Sequence, residues 1–154
     1  MTPIWKQKAT CDQLNRRGRN TMVDHLGIIF EEVGPDYLVA SMPVDERTIQ
    51  PLGLLHGGAS VVLAETVGSV AGALSVDLRS HYCVGIEVNA NHLRAVRSGR
   101  VTAMARPLFV GRKIQVWQID TKDDQGKPVT ASRLTLAVLD HLTPDDKWLA
   151  WLTP

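Results

Sequence analysis

The chain has 154 residues, 44% of them apolar, enough to close one buried core and too few for two typical domains, so a single domain over 1–154 is expected. Its 17 basic and 16 acidic residues leave a formal net charge of +1, without the strong positive field of a chain that holds duplex nucleic acid by its phosphates. Cys11 and Cys83 lack both the density of a secreted disulfide scaffold and the Cys-x-x-Cys spacing of a metal or redox site, and both read as reduced thiols.

The N-terminal segment, 1–23, mixes Lys, Arg and Gln where a signal peptide needs an uninterrupted apolar core, which points to the cytoplasm. A short helix is expected around Cys11 to Arg17. "LGIIFEEV" and "DYLVASMPV" then read as strands of a hairpin joined by a "GPD" turn. An irregular Pro- and Gly-bearing loop, Asp45 to Leu55, leads into the one long helical pattern, from about Gly58 to Ser75. Val61, Val62, Leu63, Ala64, Val67, Val70, Ala71, Ala73 and Leu74 surround its axis almost completely, so this helix must be wrapped. Gly68 and Gly72, with Ala64 one turn earlier, form a small-residue ridge that admits a close neighbour. Ala59 to Val76 has membrane-like length but carries Glu65 in its interior, and a central carboxylate opposes insertion by ~3 kcal/mol, so a buried helix of a protein outside the membrane explains it better.

From Tyr82 onward, "YCVGIEVNANHLR", "RVTAMARPLFV", "RKIQVWQIDTKD" and "PVTASRLTLAVL" read as four consecutive strands with short turns, favouring an antiparallel sheet. Two strands, one buried helix and four strands pack most economically as one curved sheet around a central helix, an α+β fold. The tail, 141–154, holds Trp148 and Trp151, candidates to cap the core or a subunit contact.

Glu65 is the one formal charge between Gln50 and Ser69. Its one-turn neighbours, Val61, Val62, Gly68 and Ser69, give it no polar stripe, and a carboxylate kept from water needs a partner or a purpose. It could reach solvent at the helix edge or pair with a distant Arg; a functional role has about equal weight from this residue alone. Upstream, "HGG" leaves the N–H groups near Gly57 and Gly58 without side-chain cover at a helix start, where unsatisfied donors and the positive dipole end can polarise a carbonyl and receive an oxyanion. For "GG" alone, a plain glycine cap is the better explanation. Gln50 and His56 lie on the loop approaching the helix and Ser69 one turn beyond Glu65, and the weight rests on the set rather than on any member.

The stretch "PLGLLHGGASVVLAETVGS" closely resembles the active-site segment of hotdog-fold acyl-CoA thioesterases of the catalytic-glutamate group, most like the bacterial 1,4-dihydroxy-2-naphthoyl-CoA hydrolases and the thioesterase that proofreads enterobactin synthesis. The resemblance extends from "NTMVDHLGI" through "GIEVNANHLR" to "ARPLFVGRKIQVWQI". It implies an antiparallel sheet of about six strands wrapped around the long helix. It also implies subunits that join sheets, with sites at their interface, and dimers that often pair into homotetramers. By the same resemblance Glu65 attacks the thioester carbonyl or activates a water, the Gly57 N–H receives the carbonyl oxygen, Gln50 and His56 orient thioester and water, and Ser69 assists at the acyl end. Coenzyme A, part of the substrate rather than a cofactor, is implied to lie along Gly85, along His92, Leu93, Arg94 and Ala95, and along Phe109, Val110, Gly111, Arg112, Lys113 and Ile114. His92 and Arg94 are expected on one face of a strand, and Arg112 and Lys113 beside a bend at Gly111. Leu93 and Ala95 stand where the enterobacterial members have a second histidine and a proline, which leaves the acyl group open.

No metal is expected: His25, His56, His81, His92 and His141 show no zinc spacing. The leading function is hydrolysis of an aromatic or otherwise bulky acyl-CoA, in quinone (menaquinone) biosynthesis, siderophore proofreading on acyl carrier protein thioesters, or a housekeeping role. A hotdog dehydratase is disfavoured because "HGGA" stands where that family has "HFPG". A non-catalytic acyl-CoA sensor would need a further module, for which the segment bearing Arg16, Arg17 and Arg19 is short.

Overall fold

The computed structural model describes residues 3–141. In chain order it contains α1 (Cys11–Arg17), α2 (Met22–His25), β1 (Ile29–Val33), β2 (Leu38–Pro43), α3 (Gly57–Leu74), β3 (His81–His92), β4 (Arg100–Val110), β5 (Ile114–Asp123) and β6 (Pro128–Asp140). The strands form one six-stranded antiparallel sheet in the order β1-β2-β4-β5-β6-β3, curled around α3.

Alternation along the strands builds the core. Val101, Ala103 and Ala105 of β4, Trp117 and Ile119 of β5, and Leu134, Leu136 and Val138 of β6 are buried on the inner face, with polar or half-buried residues between them. The small-residue ridge of α3 meets side chains of the sheet. A Cβ on Gly68 would stand 2.6 Å from Leu134 Cδ2, and one on Gly72 would stand 2.2 Å from Leu136 Cδ1, so both glycines are needed for the helix to lie this close.

Two features differ from the sequence reading. First, α3 is not wrapped all round: Leu63, Ala64, Val67, Gly68, Ala71 and Gly72 are buried, whereas Val61, Val62, Glu65, Thr66, Ser69 and Val70 form a half-buried stripe. One sheet curls around one side of a helix, and the other side of this one is left for something else. Half of this long apolar helix is buried in the protein. Second, β3 does not neighbour β4. It pairs with β6 and forms an edge of the sheet. Residues 93–99 therefore cross rather than turn, an extended reach of about 24 Å against three strand spacings of about 14 Å.

The N-terminal segment, for which the sequence offered only a helix, seals the far end of α3. The N–H groups of Lys6 and Gln7 both donate to the Leu74 carbonyl, at 2.8 and 3.2 Å, satisfying a helix end that otherwise lacks partners. Trp5 stacks on Trp117 with ring centroids 6.2 Å apart, and its indole N–H donates to the Gly34 carbonyl. Thr10 and Gln13 make a capping box on α1, and the Asn15 amide exchanges two hydrogen bonds with the Phe30 backbone, which fixes α1 against β1. Trp148 and Trp151 lie outside the described residues.

Candidate active site

The approach to α3 is a tied loop rather than an open one. The buried Thr48 hydroxyl donates to the Pro43 carbonyl, the His56 N–H donates to the Thr48 carbonyl, and the Leu55 N–H donates to the Val96 carbonyl of the crossing segment, each at 2.8 Å. Gly53, at φ +72°, completes the turn that returns the chain to Gln50. The Gln50 side-chain oxygen accepts the Leu52 N–H, leaving its amide N–H groups as donors toward the cavity beside it.

His56 is the N-cap of α3, with extended backbone at φ −69°, ψ 131°. Its Nδ1 accepts the Gly58 N–H at 2.8 Å. A ring nitrogen that accepts carries no proton, so the neutral imidazole holds its proton on Nε2 and is a hydrogen-bond donor there. The Gly57 N–H, one residue earlier, has no hydrogen-bond partner among the described residues. The His92 ring lies against it: a Cβ on Gly57 would stand 3.0 Å from His92 Nε2.

Gly57 and His92 border a cavity of about 370 Å³, lined by Gln50, Gly57, His92, Leu93, Arg94 and Ala95 with Leu54, Leu55, Ser60 and Val129; the expected site residue His56 is not part of its lining. All six of the first group were singled out from the sequence. Ser60 was not: it is 1% exposed, and its place in the cavity depends on the helix phase and the crossing segment together, which the sequence does not display. One expectation needs correction. β3 ends at His92, so Arg94 shares no strand face with it; Arg94 lies in the crossing segment, where its Nε donates to the Pro128 carbonyl, and both residues still line the cavity.

Glu65 lies elsewhere. Eight residues of helix separate it from Gly57, a rise of about 12 Å. It sits on the half-buried stripe with Ser69, and among the described residues its carboxylate makes no hydrogen bond or ion pair. The alternative of a distant Arg partner is therefore not realised. Gly85 of β3 lies opposite: a Cβ there would stand 3.0 Å from Glu65 Oε1.

Phe109, Val110, Gly111, Arg112, Lys113 and Ile114 form the β4–β5 hairpin, closed by the Gly111 N–H donating to the Ile114 carbonyl at 2.9 Å. Val110, Gly111 and Arg112 line a second cavity of about 380 Å³ that also touches Lys6, Ser75 and Gln115, at the C-terminal end of α3. Phe109 and Ile114 are exposed, and Lys113 Nζ is 3.9 Å from Asp140. Within one chain the expected site residues thus fall into three groups, at the start, middle and end of α3. Among the described residues, no three His, Cys, Asp or Glu side chains gather as they would around a metal ion.

Residues 52–130 match the family model of the thioesterase superfamily. The chain is 54% identical over 136 residues to the 1,4-dihydroxy-2-naphthoyl-CoA hydrolase of Escherichia coli, covering 88% of this chain and 99% of that protein. It is 50% identical over 137 residues to the proofreading thioesterase EntH of Cronobacter sakazakii, covering 88% and 98%. The crystal structure of a mutant thioesterase from Pseudomonas aeruginosa superposes with a TM-score of 0.88 at 55% identity, covering 90% of this chain and 99% of that one. The chain belongs to the thioesterase superfamily: its six-stranded sheet and central helix are the hotdog fold, and it is a thioester hydrolase.

Proposed function

We propose that this protein hydrolyses an aromatic or otherwise bulky acyl-CoA to the free acid and coenzyme A, in sites built jointly by two copies of the chain. The observation that carries this reading is the unpaired Glu65 carboxylate on the uncovered stripe of α3, about 12 Å along the helix from the unclaimed Gly57 N–H. A single carbonyl cannot touch both in one chain. It can touch Glu65 of one subunit and Gly57 of another if the two helices run antiparallel along their uncovered stripes. The free edge of β3, with Ile86 56% exposed, supports that pairing, because an unpaired edge strand offers its N–H and C=O groups to a second sheet. Exposed Phe109, Val110 and Ile114 support a further self-contact, and hence a homotetramer.

In this arrangement the Gly57 N–H, at the positive end of the helix, receives the thioester oxygen as it becomes an oxyanion. Glu65 either attacks the carbonyl carbon, forming an acyl-enzyme anhydride that water then opens, or takes the proton of the attacking water. In both cases the C–S bond breaks and the coenzyme A thiolate leaves, to be protonated by solvent. Gln50 and His56 present N–H donors that orient the thioester and water, and Ser69 flanks the acyl end. His92 to Ala95 of one subunit and Phe109 to Ile114 of a neighbour receive the coenzyme A arm. The relative named as a 1,4-dihydroxy-2-naphthoyl-CoA hydrolase supports an aromatic acyl-CoA as substrate, and the one named as a proofreading thioesterase supports a second substrate class. A place in quinone biosynthesis, in the cytoplasm, and carrier-protein thioesters as that second class complete the proposal.

The test is thiol release by wild type and Glu65→Gln across aryl-CoA, fatty acyl-CoA and acyl carrier protein thioesters. Preferred turnover of aryl-CoA, lost in Glu65→Gln with binding retained, is the expected result. Undiminished turnover by Glu65→Gln removes the assigned role.

A further inference from the structure

Strand β3 carries one residue too many for its partner. It pairs with β6 step by step from His81 opposite Asp140 to Gly85 opposite Leu136, and then Glu87, not Ile86, stands opposite Thr135. Ile86 is the extra residue of a β-bulge. Before the bulge, Cys83 and Gly85 pair with the buried Val138 and Leu136; after it, Val88 and His92 pair with the buried Leu134 and Thr130. Gly85 and His92 are seven positions apart, an odd number, so in a regular strand they would face opposite sides of the sheet. The extra residue puts both on the helix side. Gly85 then lies against Glu65 Oε1, and His92 lies against Gly57.

We infer that the Ile86 bulge and the bare backbone of Gly85 position the two halves of the candidate active site, Gly85 by leaving the notch in which the Glu65 carboxylate rests. This rests on the reading of Glu65 as the reacting carboxylate. The notch is specific: apart from Gly85 itself and its chain neighbours, Glu65 Oε1 is the one heavy atom among the described residues within 4 Å of where a Cβ on Gly85 would stand. Within one chain, a methyl group there meets no other atom of the described residues. Glu65 can swing aside without disturbing the core, so the fold tolerates the change and the carboxylate's aim does not. Gly85 is therefore a positioning residue, acting through Glu65.

The experiment is a double-mutant cycle in the full chain, combining Gly85→Ala with Glu65→Asp and measuring kcat and KM for one acyl-CoA, thermal stability, and Glu65→Gln as control. Gly85→Ala is expected to lower kcat by ~10-fold or more, with KM nearly unchanged and the melting temperature held, since a misplacement near 1 Å at a reacting group carries losses of that order. In the Glu65→Asp background, where the carboxylate is withdrawn by one methylene, the same alanine is expected to cost little, because coupled residues are not additive. A KM increase alone, an unchanged kcat, or an equal loss in both backgrounds overturns the inference. If Glu65→Gln is inactive while Gly85→Ala is unaffected, this inference alone fails; if Glu65→Gln turns over normally, the reading of Glu65 fails first and the inference with it.

Discussion

The Gly58 N–H donates to His56 Nδ1 at 2.8 Å, so the imidazole on the loop before α3 is also the cap of the helix it introduces. Capping consumes the orphan donor on Gly58 and leaves the one before it, on Gly57, for a ligand. Asparagine caps in the same way through its side-chain oxygen and keeps an N–H donor, whereas alanine does neither. His56→Ala is expected to lower stability by about 1 kcal/mol, and His56→Asn by much less, in urea unfolding. Equal stabilities would remove the capping role.

Proline at Gly57 removes one N–H, and since any Cβ there also meets His92 Nε2 at 3.0 Å, Gly57→Ala, which keeps the N–H, is the control against which the loss is read. Gly57 is the first residue of α3, a position where proline's missing N–H costs the helix nothing, and His56 before it already has the extended backbone that a pre-proline residue favours. Gly57→Pro is expected to keep the fold by circular dichroism while kcat for a thioester falls by ~10²-fold or more, the loss seen when an oxyanion donor is removed. Retained kcat would place the carbonyl oxygen elsewhere.

Most of the fold was legible because its periodicities are local. Inner residues such as Val101, Ala103 and Ala105 alternate, and the span of α3 agrees with the apolar run to within one residue at each end. The pairing of β3 with β6 was not, since a seven-residue crossing and a seven-residue turn read alike until three dimensions decide. The bulge at Ile86 was equally hidden: it shows only when both partners' residues are counted against each other. For the site, Gln50 and Gly57, expected at the reacting carbonyl, and His92 to Ala95, expected along coenzyme A, share a cavity. Glu65 was found from its charge alone. Its separation from Gly57 follows from eight helical steps and is the basis of the proposal that a second subunit completes the site.

Thr121 and Thr130 stand opposite one another on β5 and β6, 1% and 2% exposed, and neither hydroxyl has a hydrogen-bond partner among the described residues. Valine has the same shape without the unpaired oxygen. Thr130→Val is expected to leave thermal stability unchanged or raised, by up to about 1 kcal/mol, because the buried hydroxyl offsets its own packing. A clear loss would reveal a bond that these two hydroxyls make with something else.

Burial pushes the Cys83 thiol up to about 11. The thiolate is the reactive form, so at pH 8 Cys83 is expected to be alkylated by iodoacetamide far more slowly in the folded protein than in denaturant. Mass spectrometry of the labelled peptide reads this directly, and equal rates in the two states would contradict the burial.

Mixing two inactive variants tests the shared site most directly. A dimer of one Glu65→Gln subunit and one Gly57→Pro subunit contains one site with both defects and one with neither. Random reassociation of equal amounts is expected to restore about a quarter of the wild-type thiol-release rate, since half the dimers are mixed and each carries one intact site. A site complete within a single chain would give no recovery at any mixing ratio.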